Sequence, residues 1–387
     1  VEEIKSFSKL KSQWKFSFLI TLILMVLLSI WNFKNRMYDW DMPGYMGCFY
    51  TLIEPNNPKE IHQRIYQEIK KEAPEKEYID IIGINLYDRT RQWFTKSEQS
   101  FTEQLPYFQI KIGYNITLLA LYKIGFTGPM SVTILSVISY FISGILLFFV
   151  LKTIFPNKPW LSSLLTVGIC LLSPMTHMAQ ISTPDMFIFQ FMMLFMIALL
   201  RRWNQWAMFI IQFLIVFVRP DYITFSLTFY ITQSILEYLN TKKINYLVII
   251  QCAILVTMYI AILKYYNYPG WKALFYDTFI YRRPFISKEK ADFTISKYLN
   301  IFFGKLLYFK KVTLSCILML TGIFCFSKDK FIRFFAICFV VNIYIKFALF
   351  PQSAALRFFF PFIALLLLMF FYSVNRKYPN LKIGKIA

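Results

Sequence analysis

Histidine is almost missing from this sequence: His62 and His177 are the only two in 387 residues, too few and too far apart for a histidine-built metal cluster. Cysteine is scarce and badly placed for cross-linking. Cys170, Cys252, Cys316, Cys325 and Cys338 lie in or beside apolar runs, and only Cys48 falls in a loop. Neither a disulfide framework nor a thiolate metal site is indicated. Charge is thin as well, at 16% of residues, against roughly 25% in soluble domains. A large soluble helical core is excluded on that ground, because too few polar helix faces remain to meet water. There is no internal repeat, Walker loop, dinucleotide fingerprint, Gly-x-Ser-x-Gly elbow or His-Glu-x-x-His motif. ATP-driven and nicotinamide-dependent chemistry therefore have no support.

Acidic residues are half as common as basic ones, 21 against 42, for a net charge of +21. Such an excess suits nucleic acid in a soluble protein. Here the basic residues cluster between apolar segments, so topology and anionic membrane lipid account for them and no nucleic-acid partner is expected.

What is present is apolar surface: 57% hydrophobic and 20% aromatic residues, with a mean hydropathy of +0.49. Runs near the length of a bilayer crossing recur along the chain. The sequence predicts an all-α polytopic membrane protein, one integral membrane domain over 1–387, in a cell inner membrane or plasma membrane. About ten transmembrane helices are expected, over 16–33, 130–152, 159–176, 184–200, 204–218, 222–239, 244–263, 308–326, 331–350 and 357–374. The first, behind a basic N-terminal region and with no small-residue cleavage site after it, reads as a retained signal anchor.

Basic residues orient these runs. Lys5, Lys9, Lys11 and Lys15 put the N-terminus in the cytoplasm, and 34–129 then lies outside. Every later cytoplasmic turn is basic in this scheme: Lys152 and Lys158, Arg201 and Arg202, Lys242 and Lys243, then Lys328, Lys330 and Arg333. The tail adds Arg376, Lys377, Lys382 and Lys385. Counting 109–127 as a further crossing would reverse all of them, and Gly113 and Asn115 interrupt its short core, so it is expected to be interfacial or re-entrant.

Two large outer loops result. The first, 34–129, holds more than half of the chain's 21 acidic residues and as many basic ones. Asn57 can cap a helix over 57–73, Pro58 suits its first turn, and Ile61, Ile65 and Ile69 form a stripe for the membrane or the rest of the loop. A second short amphipathic helix is expected over 93–104. The other outer loop, 264–307, combines tyrosines, a Pro-Gly turn and the pair Arg282 and Arg283. Aromatic and basic groups at an outer interface suit an anionic headgroup beside an acyl chain or sugar ring.

Charges at the ends of apolar runs are costly and so are functional candidates. Asp39 and Asp41 follow the first run, Asp185 starts another after Pro184, Arg219 and Asp221 share a turn, and Arg357 starts the last. All fall on the outer face. A carboxylate there can act as general base toward an acceptor hydroxyl or amine, while Arg or Lys stabilises a leaving phosphate. Nucleotide sugars are confined to the cytoplasm, so the donor would be lipid-embedded.

In "DMPGY" a tyrosine, Tyr45, follows Asp41 by four residues. With the outer carboxylates and the two outer loops, this pattern resembles the GT-C superfamily of polyprenyl-phosphate-dependent glycosyltransferases, in particular the branch of protein O-mannosyltransferases and lipid A aminoarabinose transferases. The resemblance implies that Asp41 is the catalytic base and Asp185 the further outer acid; Asp39, with no tyrosine at that spacing, is left as a catalytic helper or an exposed-turn residue. Arg219 corresponds to the basic residue at the later outer turn; Tyr45, Asp221, Arg282, Arg283 and Arg357 are the remaining substrate-binding candidates. It implies a polyprenyl-phosphate sugar donor, a glycan, lipid or protein acceptor, and chemistry on the extracytoplasmic face, with a divalent cation (Mg2+ or Mn2+) left open and unassigned. The chain departs from the family where the usual Asp-Glu pair is replaced by Asp39-Trp40-Asp41, and no appended soluble outer domain is expected.

Two rival readings stand beside it. An O-antigen or exopolysaccharide polymerase would rely on outer-loop arginines and need no first-loop aspartate. A transporter or flippase for a polyprenyl-linked glycan would place polar groups near the membrane midplane, for which Asn342 and Lys346 are the candidates.

Overall fold

The computed structural model describes residues 2–85, 88–352 and 356–379, with backbone alone for 2–9. The topology-setting side chains of Lys5 and Lys9, and the tail residues Lys382 and Lys385, lie outside the described residues. The described chain contains helices and no strand.

Its helices are inverted relative to those of a soluble protein. On the first, Glu2–Lys34, the exposed side chains are Phe16, Leu19, Ile23, Leu27 and Ile30, while Ser17, Thr21 and Asn32 are fully buried. Ser17 Oγ donates to Pro159 O at 2.8 Å, Ser163 Oγ donates to Ser17 O at 3.0 Å, and Thr21 meets Ser163. The helix Tyr246–Tyr265 repeats the pattern, with Ile249, Ile250 and Ile254 exposed and Gln251 fully buried. Water would reject such a perimeter. In hydrocarbon it costs nothing, and small and polar residues hold the helices together from within. The protein is a helical membrane protein.

By length and apolarity, five helices can cross: Leu10–Lys34, Gly128–Ile154, Tyr246–Tyr265, Lys330–Leu349 and Phe360–Lys377. Two further pairs, Pro159–Cys170 with Ser173–Gln180 and Ile295–Tyr308 with Lys310–Phe326, bend by 60° and 64° and make seven if each is one span. The expected run 159–176 is thus broken. Its helix stops at Cys170, and Pro174 opens the next, where its missing N–H would interrupt a continuous ladder. Asp185–Leu200 and Gln205–Val218 are shorter apolar helices. The expected run 222–239 is the helix Ile223–Thr241, which carries Thr, Ser, Gln and Glu among its apolar residues. The segment 109–127 holds only a 12-residue helix, Ile112–Lys123; at 1.5 Å per residue it is roughly 18 Å long, short of the hydrocarbon thickness of ~30 Å.

Between the first and second long helices the chain folds into short helices. Along Pro58–Glu72 the stripe Ile61, Ile65 and Ile69 is buried against the helices Met42–Ile53 and Gly128–Ile154 rather than laid on lipid. Asn57 stands at the N-cap of that helix but its side chain makes no capping bond. The expected 93–104 helix is two, Arg89–Lys96 and Glu98–Thr102, parted at Ser97, whose hydroxyl accepts the Ser100 N–H.

The 42–53 helix sits deepest in this layer, with Met42 to Tyr50 all buried. Two glycines let it approach its neighbours. A Cβ on Gly44 would come within 2.8 Å of the Phe108 ring, and one on Gly47 within 2.7 Å of Leu105 and 3.0 Å of Phe101.

Candidate functional site

The segment after the first helix is tied down by backbone bonds to distant parts of the chain. Met37 N–H donates to Gln180 O at 2.8 Å, and Tyr38 N–H to the Glu77 carboxylate at 2.7 Å. Asp39 continues this stitching. Its Oδ2 accepts the Ser182 N–H at 2.8 Å and its Oδ1 accepts the Asp41 N–H at 3.0 Å. Asp41 is different. It stands at the N-cap of the 42–53 helix without making a capping bond, so its carboxylate is free to face outward.

That carboxylate begins a chain of alternating charge. Asp41 Oδ2 is 3.5 Å from Arg357 Nη2, and Arg357 Nε is 3.5 Å from Asp185 Oδ2. Asp185 also accepts the Thr183 hydroxyl at 2.9 Å and is paired through Oδ1 with Arg219. Arg219 Nε reaches Asp221 Oδ1 at 3.2 Å, and Asp221 is paired with Lys346. The links come from the start of the 42–53 helix, the start of the 185–200 helix, the turn at 219–222, the 330–349 helix and the turn at 356–358. Asp185 is 2% exposed and Arg219 7%, so the middle is buried, while the Asp41, Arg357 and Asp221 side chains are partly open. Unpaired, each buried charge would carry several kcal/mol of desolvation; alternation of sign offsets that cost.

Tyr45 lies alongside, one helical turn after Asp41. Its ring is buried edge-on against Phe108 and Tyr114, at 5.1 and 4.9 Å, and its hydroxyl accepts from Lys111 Nζ at 2.6 Å. Lys111 was hidden from sequence reasoning in the segment assigned to the interface. The sequence marks Lys346 only as a polar residue inside an apolar run, a candidate for the transporter reading.

Burial, then the neighbouring Asp41 charge, pushes the Asp39 carboxyl up to about 7, against the opposing pull of the Ser182 N–H. Burial, then Arg219, draws the Lys111 ammonium down to about 8. Desolvation works against an ionised Asp221, but Arg219 and Lys346 outweigh it and hold its carboxyl well below the usual range.

The two outer-loop arginines part company. Arg283 lies outside the chain of charges: Nε and Nη2 meet the two oxygens of buried Asp277 at 2.7 and 2.9 Å, and Tyr107 donates to the same carboxylate at 2.6 Å. Arg282 sits against Trp40, between Asp39 and Asp41. Its guanidinium lies 5.4 Å from the Trp40 and Tyr107 ring centres and 5.9 Å from Phe94, and its Nε is buried without a hydrogen-bond partner. Burial draws it below its ordinary value.

Among the described residues no group of three or more His, Cys, Asp or Glu side chains is disposed to hold a metal ion. Asp185 and Asp221 already face protein cations, and Asp41 faces Arg357. The arrangement offers two partly open carboxylates, Asp41 and Asp221, each beside cations, and a lysine–tyrosine pair. No family model, curated protein or solved structure matches the chain.

Proposed function

We propose that this chain is a membrane glycosyltransferase of GT-C type, with about ten crossings and its two large loops on the extracytoplasmic face of an inner or plasma membrane. It moves a sugar from a polyprenyl-phosphate donor to an envelope glycan, lipid or protein acceptor. The observation that carries this reading is the contrast within Asp39-Trp40-Asp41. Asp39 is held by two backbone N–H groups, whereas Asp41 is free of them, partly open and beside Arg357.

In the reaction, Asp41 takes the proton of an acceptor hydroxyl. The acceptor oxygen bonds to the anomeric carbon as the bond from that carbon to the phosphate oxygen breaks, its electron pair passing to the phosphate. Polyprenyl phosphate leaves with one more negative charge. Lys111, whose other N–H groups remain after its bond to Tyr45, and Arg282, which has no carboxylate partner among the described residues, stand where cations can stabilise that charge.

A second reading, a transporter of a polyprenyl-linked glycan, is favoured by a different observation. Lys346 lies within an apolar helix and pairs with Asp221, and buried Asn342 Oδ1, Gln212 Nε2 and Gln251 Nε2 lack partners.

The test is transfer of radiolabelled sugar by purified protein in proteoliposomes, supplied in turn with polyprenyl-phosphate mannose, glucose, galactose and aminoarabinose. Turnover abolished by Asp41→Asn supports glycosyl transfer. Full turnover in that variant overturns Asp41 as base, and movement of donor between leaflets without transfer supports the transporter.

A further inference from the structure

A well-formed cavity lies not at the charges but next to them. It measures about 340 Å3 and opens between the 42–53 helix, the 98–109 segment and the end of the 246–265 helix. Its size is that of a small-ligand site. The lining chemistry is uniform in one respect: no Asp, Glu, Lys, Arg or His contributes to it. Gln109 and Asn267 bring amides, Tyr265 and Tyr266 bring phenol rings, and prolines and apolar side chains complete the wall.

The two tyrosines form a corner. Their ring centres are 4.9 Å apart with planes at 86°, and Tyr265 is 79% exposed. Asn267 adopts φ +49, a left-handed conformation that asparagine tolerates better than most residues. That turn ends the helix and leaves the tyrosines and the amide at the cavity wall. A charged ligand would find no counter-ion here. A purely apolar one would strand the amides. What fits is a neutral molecule with a C–H-rich face for the negative face of a phenol ring and hydroxyls for the amides, each of which donates and accepts. A pyranose ring has both.

Position connects this cavity to the charges. Thr51, on its wall, lies ten residues beyond Asp41 along one helix, roughly 15 Å at 1.5 Å per residue. Gln109 precedes Lys111 by two residues. A short oligosaccharide spans that interval. Leu105, another wall residue, is in contact with the backbone of Gly47 on the same helix.

We propose that this cavity binds a neutral sugar unit of a glycan, with Tyr265, Tyr266, Asn267 and Gln109 as its contacts. Its role as the acceptor subsite rests on the glycosyl-transfer reading; the binding itself does not.

The experiment is titration of the purified full-length protein in nanodiscs with maltotriose, mannotriose, galactotriose, chitotriose and trigalacturonate, followed by tyrosine and tryptophan fluorescence and by native mass spectrometry. At least one neutral trisaccharide is expected to bind. Tyr266→Ala and Asn267→Ala each weaken it about tenfold, the loss of one good contact, while thermal unfolding stays at the wild-type temperature. Three results overturn the proposal: no neutral trisaccharide binds, the acidic one binds best, or Tyr266→Ala releases a bound phospholipid and leaves sugar binding intact. Binding that survives while no donor supports transfer would keep the cavity as a glycan site and dismiss only its acceptor role.

Discussion

Asp39 holds Asp41 in place: the Asp39 carboxylate accepts the Asp41 N–H at 3.0 Å while its other oxygen accepts the Ser182 N–H at 2.8 Å. Two acids a residue apart are thereby given unlike work, one bracing a turn between distant segments and the other left open to a substrate.

Replacement should separate them. Asp41→Asn is expected to lower the turnover of sugar transfer by about 100-fold or more, the scale of a lost general base, with little change in thermal unfolding. Asp39→Asn retains only part of its acceptor capacity and leaves a backbone N–H poorly met, costing about 1–3 kcal/mol of stability, with measurable transfer remaining. Turnover and the unfolding midpoint in detergent check both.

The dependence on pH follows from Asp39 at about 7 and Lys111 at about 8. Ionised Asp39 grips the two N–H groups more strongly, and protonated Lys111 supplies positive charge, so transfer should rise through about 7 and fall above about 8. Asp39→Asn removes the rising limb and Lys111→Met the falling one. The effects on stability carry opposite signs. Because the folded value of Asp39 is raised, its contribution is fully present below the unfolded value of 3.8 and is lost as pH rises through about 7. Because that of Lys111 is lowered, its contribution is present above 10.5 and is lost as pH falls through about 8. Unfolding midpoints measured across this range check the signs.

Arg219 should be the most damaging single loss. Arg219→Ala leaves Asp185 buried with the Thr183 hydroxyl and, as its counter-ion, only the longer contact to Arg357, a cost of about 3–5 kcal/mol. The pair Arg219→Gln with Asp185→Asn should recover much of it, read as the unfolding midpoint of the double variant against either single one.

Arg283→Ala breaks the buried pair with Asp277 and should unfold the outer loops at lower temperature without a specific effect on donor affinity. Arg282→Ala, with no ion pair to lose among the described residues, should spare stability and raise the donor KM. Reversal of the two phenotypes would remove Arg282 from the donor site.

Local signals carried much of this into the sequence. Asp185, Arg219, Asp221 and Arg357 each stand at the end of an apolar run and Asp41 lies shortly beyond one, where a charge is conspicuous whatever it faces. Lys111 gave no such sign, because it lies between "FQI" and "IGYN", and its partner Tyr45 is 66 positions away. Arg282 and Arg283 are indistinguishable as neighbours; only the turn that directs one to Asp277 and the other to Trp40 separates them. Crossing number was obscured for a related reason. Hydropathy averages over a window and does not register where Pro174 stops one helix and starts another.

The two glycines of the 42–53 helix have a mechanical consequence. With no side chain at Gly44 or Gly47, nothing compressible stands between that helix and the row Phe101, Leu105 and Phe108. Phe101 and Leu105 are cavity walls, and Phe108 meets the ring of Tyr45. A ligand that shifts the cavity wall therefore pushes on the phenol whose hydroxyl Lys111 holds, so that filling one site reaches the other as displacement rather than as charge.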